Sequence, residues 1–179
     1  MRPGVLLTVR ADGEDYALLF LHVASWPDAG GFGLRADMIE RAFNFRKTLD
    51  KAARKPANYL FLGDLNSMGL DYEYDKIGRN VQHARVSAEQ EISRLSYLAS
   101  KHSMRLATKN ADATWGDPSK PSMRSNLDHV VAADHLRFKQ FNGADIDVRG
   151  WPKLPASDQA DWMRNYSDHG LLYFEVERD

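Results

Sequence analysis

The chain has 179 residues, and its 24 basic and 25 acidic side chains leave a net charge of −1 and a pI near 6.6. That length suits one domain burying about 70% of its unfolded surface, and the charge balance argues against holding nucleic acid mainly by a bulk positive field. There is no cysteine, so disulfides and thiolate metal ligands are excluded and an intracellular, cytoplasmic setting is favoured.

Residues 5–10 and 16–23 are rich in β-formers and flank Asp12-Gly13, a tight-turn signal, so an antiparallel hairpin is expected. The stretch from Trp26 to Gly33 holds a proline and three glycines, which cannot continue a strand and reads as a mobile loop. From Leu34 to Ala53 the apolar positions Met38, Ala42, Phe45, Leu49 and Ala52 fall on one face of a helix. Its charges, Arg41, Arg46, Lys47, Lys51 and Arg54 among Asp37, Glu40 and Asp50, read mostly as an exposed face. A short apolar strand over 58–62 then runs into Gly63-Asp64 at a sheet edge.

Residues 67–86 show no clear period and read as an irregular surface region. Ser87 with Gln90 forms a capping box for a second helix, striped by Ile92, Leu95 and Leu98-Ala99 and ending near His102. Two further strands are expected at 127–132 and 171–176, each fed by a polar loop of the kind that carries function. No internal repeat or linker interrupts the chain, and no run is long and apolar enough to span a bilayer. Residues 1–179 are therefore expected to form a single domain of the α+β class.

Three segments carry chemistry. They are Gly63-Asp64-Leu65-Asn66 after an apolar run, Asn126-Leu127-Asp128-His129-Val130, and Ser167-Asp168-His169 before the last strand. Each alone is common in turns and caps, but together they offer what phosphoester hydrolysis needs. Asp and Asn can place a water and a phosphate oxygen, carboxylates can hold a hard divalent cation, and an imidazole can meet developing charge. Their order resembles that of the endonuclease/exonuclease/phosphatase superfamily, which includes the DNase I-like nucleases.

The resemblance implies a β-sandwich flanked by helices and hydrolysis by activated water with Mg²⁺ or Mn²⁺. Asp64 would position or deprotonate the water and Asn66 would contact the phosphate. Asp168 would serve as a metal or water-network carboxylate, with His169 beside the scissile phosphate and Asp128 holding His169. His22, at the end of an apolar strand, matches the family's strand histidine and would protonate the leaving oxygen. A lone histidine there is otherwise more often a hydrogen-bonded core residue. Arg35 matches a recurrent helix-start arginine that is structural or phosphate-binding, and Lys120 and Arg124 would be phosphate contacts or parts of a solvated loop. Trp115, in a Thr-aromatic step similar to the family's, reads as packing in preference to base stacking. His83, His102 and His135 lack paired ligand spacing and receive no role.

The resemblance covers only the later part of the superfamily domain. The family's early strand with an Asn, and the Glu that is its principal metal ligand, have no counterpart upstream of His22, and Asp12, Glu14 and Asp15 cluster at the hairpin turn. The chain is thus expected to be cut from a longer protein, the abrupt Met1-Arg2-Pro3-Gly4 start favouring this. It is expected to expose apolar sheet surface over which it could self-associate, and to bind Mg²⁺ weakly and hydrolyse phosphoesters poorly alone. A non-catalytic binding module on the same scaffold is the alternative. Nucleic acid and small phosphorylated molecules both suit the chemistry as substrates.

Overall fold

A computed structural model describes residues 4–76 and 80–177, and within these the side chains at 74–76, 80–83 and 121 are left aside. The expected hairpin is present as β1 (Val5–Ala11) and β2 (Glu14–His22), paired antiparallel with Val5 opposite Phe20. Asp12 and Gly13 both take positive φ in the turn, which places them in the region such turns require.

The first helix, α1 (Ala29–Ala53), begins five residues before the expected start. Asp28 accepts from Gly31 N at 2.6 Å and caps it, a signal that the glycine-rich composition hides. Gly31 is needed for close approach, because a Cβ there would lie 2.2 Å from the Trp26 carbonyl oxygen. Most of the charged run on α1 is exposed, but Arg46 is buried and donates to the carbonyls of His102 and Ser103. It satisfies carbonyls just beyond the second helix instead of facing water.

Next comes β3 (Asn58–Asp64), parallel to β2 through the α1 crossover, with His22 beside Asp64. The segment expected to be irregular is an antiparallel ladder, β4 (Leu70–Lys76) with β5 (Asn80–Val86). Its tyrosines alternate with acids at 71–74, a strand period masked by low hydrophobicity. The side chain of His83 lies outside the described residues. The second helix, α2 (Ala88–Lys101), has both hydrogen bonds of the expected capping box and ends at His102.

Shorter strands follow: β6 (Met104–Leu106), β7 (Trp115–Asp117), β8 (Lys120–Ser125), β9 (Asp128–Ala133), β10 (Arg137–Phe138) and β11 (Asp147–Arg149). A 3-10 turn at Trp151–Lys153 and α3 (Ala156–Asn165) lead to β12 (Leu171–Tyr173) and β13 (Val176–Glu177). The last two divide what the sequence suggests is one strand, because β12 pairs with β11 and β13 with β10.

The main sheet has the order β1-β2-β3-β9-β6. Period-2 alternation splits its residues between two cores. Ala17, Leu21, Tyr59, Phe61 and Val131 meet Ile39, Ala42 and Phe43 of α1 and Leu95 and Ala99 of α2. On the other face Leu60, Leu62, Val130 and Ala132 meet Phe138 and Ile146, with Leu172, Phe174 and Val176 packed against them. The result is mixed α+β, with α1 and α2 on one side of the main sheet and the β10–β13 and β11–β12 ladders on the other. Coverage stops at β1, where Val5, Leu7 and Val9 are exposed along the strand. Among the described residues no helix is long and apolar enough to cross a membrane.

Candidate active site

Strand register builds the site. Asp64 ends β3 directly opposite Asp128, which begins antiparallel β9, and beside His22 at the end of parallel β2. Gly63, with φ of +125°, makes the approach possible, since a Cβ there would fall 2.2 Å from Leu21 O. Three adjacent strands therefore deliver two carboxylates and an imidazole to one edge of the sheet.

A second imidazole arrives from the loop before β12. His169 Nδ1 lies 2.8 Å from Asp128 Oδ2, and His22 Nε2 lies 3.3 Å from Asp64 Oδ2. Each carboxylate thus has its own histidine. The hydrogen bond that His169 donates to Asp128 raises the His169 pKa above its ordinary value against the effect of burial, and the charges of Asp128, Asp64 and Asp168 act in the same direction. Asp64 is also raised, first by burial and then by the neighbouring Asp128 charge, while the Asn66 N–H, His169 and His22 oppose the shift.

The strand ends are held from below. Thr114 is fully buried, and its Oγ1 accepts from Leu127 N at 3.0 Å and Asp128 N at 2.9 Å. Its carbonyl accepts from Gly170 N at 2.7 Å, so one residue sets the positions of both Asp128 and the His169 loop. Trp115 bridges backbone to backbone with His169 and donates its indole N–H to Asp168 Oδ2 at 2.8 Å. That contact gives Trp115 a positioning role for Asp168 in addition to packing.

Sequence reasoning passed over Lys109 and His129. The Lys109 ammonium donates to Asn126 Oδ1 and to the Asp128 carbonyl and stands 3.4 Å from His129 Nδ1. Burial brings its pKa down to about 8, with Asp128 opposing. His129 is pushed down to about 3 by burial and then by Lys109, so its ring is neutral at physiological pH. An ammonium can only donate, so Nδ1 is the acceptor, leaving the ring proton on Nε2. Nε2 faces Ser67 Oγ at 2.7 Å and Asn126 O at 3.1 Å. The Asn-Leu-Asp-His string contained half of this network, but nothing local in sequence points to Lys109.

Other expected site residues are placed differently. Asn66 follows Asp64 with a positive φ of 45°, is buried, and donates its amide to Val23 O at 3.1 Å. That donor braces the turn. Arg35 has no exposed surface and spends its guanidinium on Glu91, Trp26 O and Gly69 O, which places it inside the scaffold and away from any phosphate. Arg124 lies over the Trp151 ring with its centre 4.5 Å from the centroid and donates to Gln159 at 2.8 Å. It therefore braces α3.

Asp168 accepts through Oδ2 and its carbonyl, and among the described residues its Oδ1 has no protein hydrogen-bond partner. Among the described residues no three His, Asp or Glu side chains come together as a metal-holding group. Comparison with protein-family models and with curated proteins finds no match to this chain.

Proposed function

We propose that the chain acts as a metal-dependent phosphodiesterase or phosphatase on a two-sheet DNase I-like scaffold. The observation that supports the reading is the pairing of two carboxylates on neighbouring strands, each within ion-pair distance of its own histidine. Raised carboxyl and imidazole pKa values side by side are what acid–base chemistry uses.

In this reading Asp64 orients the attacking water and takes its proton. His169, kept cationic by Asp128, neutralises charge gathering on the phosphoryl oxygens. His22 protonates the leaving oxygen. No nucleophilic Ser or Cys is required. The free Asp168 oxygen suits a hard cation by its chemistry, and Mg²⁺ or Mn²⁺ held there would supply Lewis-acid charge stabilisation. Asn66 braces the turn through one amide N–H on Val23 O, which leaves its second N–H for a phosphate oxygen.

Hydrolysis of a phosphodiester in ¹⁸O-labelled water tests the chemistry. Direct attack places one solvent oxygen in the phosphomonoester product without a burst of leaving group. A burst, or product labelled only in the alcohol, would contradict it. An alternative binding role for the same cleft is favoured if the chain and its His169→Ala variant bind a phosphoester equally and neither turns it over.

A further inference from the structure

The loop between β2 and α1 is held far more firmly than its composition suggests, and it carries an indole that the fold does not use. Arg35 donates Nη1 to Trp26 O and Nη2 to Gly69 O, both at 2.6 Å, and its Nε and Nη2 also donate to Glu91 on α2. Gly31 presses against the Trp26 carbonyl so closely that no side chain fits between them. One residue further on, Asp71 N donates to Pro27 O at 3.0 Å.

The backbone around Trp26 is thus tied to α1 and to the segment entering β4, with Arg35 resting on α2. The Trp26 side chain is nevertheless 63% exposed and makes no hydrogen bond or ring contact among the described residues. A large apolar ring left in water on a rigid support gives up burial that would otherwise stabilise the fold. Its position gives that exposure a use. Trp26 follows His22 by four residues, so their Cα atoms are at most about 14 Å apart, and Val23 N in between donates to Asp64 O at 3.0 Å.

We propose that Trp26 is a stacking platform for a nucleobase of the substrate, which makes that substrate a nucleotide or a nucleic-acid strand in preference to a phosphorylated lipid head group or sugar. The proposal rests on the phosphoester reading for where the phosphate sits, and on the loop for where the base sits. A rigid indole suits the task because every base presents a π-face and the platform loses little side-chain entropy on binding. The near-zero net charge fits as well, since stacking supplies affinity that a bulk positive field would otherwise have to supply.

Fluorescence anisotropy of labelled single strands tests it, in EDTA so that nothing is cleaved. A thymidine tetranucleotide is compared with a strand of the same backbone whose sugars carry no bases. The wild type should bind the base-bearing strand more tightly, and Trp26→Ala should weaken that strand by about 5- to 100-fold while leaving the abasic strand unchanged. Trp26→Phe should restore most of the loss, and circular dichroism should show all three proteins folded alike. Competition by thymidine 5′-monophosphate separates the sources: full competition assigns a free nucleotide, weak competition a strand. Equal binding of the two strands by the wild type, no binding of either, or a preference that survives Trp26→Ala would overturn the proposal. A Trp26-dependent preference in a chain with no metal-dependent hydrolysis keeps the platform and removes the reaction.

Discussion

Asp128 Oδ2 and His169 Nδ1 lie 2.8 Å apart although 41 residues separate them in the chain. The contact closes the site, because it joins the first residue of β9 to the loop that enters β12. The carboxylate favours the imidazolium form, so Asp128→Asn is expected to lower the His169 pKa, read by NMR titration of the ring protons. The sign for stability follows from the raised folded-state pKa. The pair contributes fully below about pH 6.5, the unfolded value, and its contribution is lost as pH rises through the folded value. The wild-type advantage over Asp128→Asn that comes from this pair should therefore be largest in mild acid, below about pH 6.5 and above the ordinary carboxylate range at about 4. An unchanged His169 titration would separate the two residues.

Asp64 has the same linkage sign for a different reason. Burial and Asp128 raise its pKa, so the ionised form needed for water activation is held at a cost to the fold. Stability linked to this group is present below its unfolded pKa and is lost as pH rises through the raised value. Asp64→Asn is expected to stabilise the protein at pH 7 by about 0.5–2 kcal/mol, in the range of relieved active-site strain. The gain should vanish near pH 3, as measured by urea unfolding across pH. A neutral or destabilising effect at pH 7 would mean that Asp64 is a structural turn residue.

Arg35 is expected to be a stability residue. Its guanidinium pairs with Glu91 through two contacts of 3.0 and 3.1 Å with neither partner much exposed. Arg35→Met would leave Glu91 buried without its cation, an error of about 3–5 kcal/mol. Denaturant midpoints check this. Arg35→Lys should recover little, since one ammonium cannot reach Glu91, Trp26 O and Gly69 O in the guanidinium's geometry.

The free edge of the sheet should mediate self-association. Val5, Leu7 and Val9 project from β1 on the face shared with Phe20, and all four are exposed. An antiparallel pairing about a two-fold at Leu7 would set Val5 against Val9 and bury that row. Sedimentation should show concentration-dependent association that Leu7→Lys weakens. A monomer at all concentrations would show that the edge is tolerated as it stands.

Local signals in the sequence specify the elements that local physics governs. Asp12-Gly13 announces its hairpin, Ser87 and Gln90 their capping box, and the apolar run at 58–62 its buried strand. The order of Asp64, Asp128 and His169 also suggests a meeting that the strand register provides. What escapes are relationships that depend on distant partners. The Asp28 cap is obscured by three glycines, the β4–β5 ladder by its charge, and Arg46 by a helix face that looks solvated. Lys109 is invisible for the same reason, since its three acceptors come from residues 126–129. Arg35 looks functional in a string and proves to be a brace, because only the fold shows that its donors are already used.

The most direct test of the account is the rate of bis(4-nitrophenyl) phosphate hydrolysis across a Mg²⁺ and Mn²⁺ concentration series, comparing wild type with Asp64→Ala and His169→Ala. Slow turnover that rises with metal up to high concentrations is expected, with each variant reduced by about 10²-fold or more. Turnover independent of metal, or no rate in the wild type above that of Asp64→Ala at any metal concentration, would contradict it.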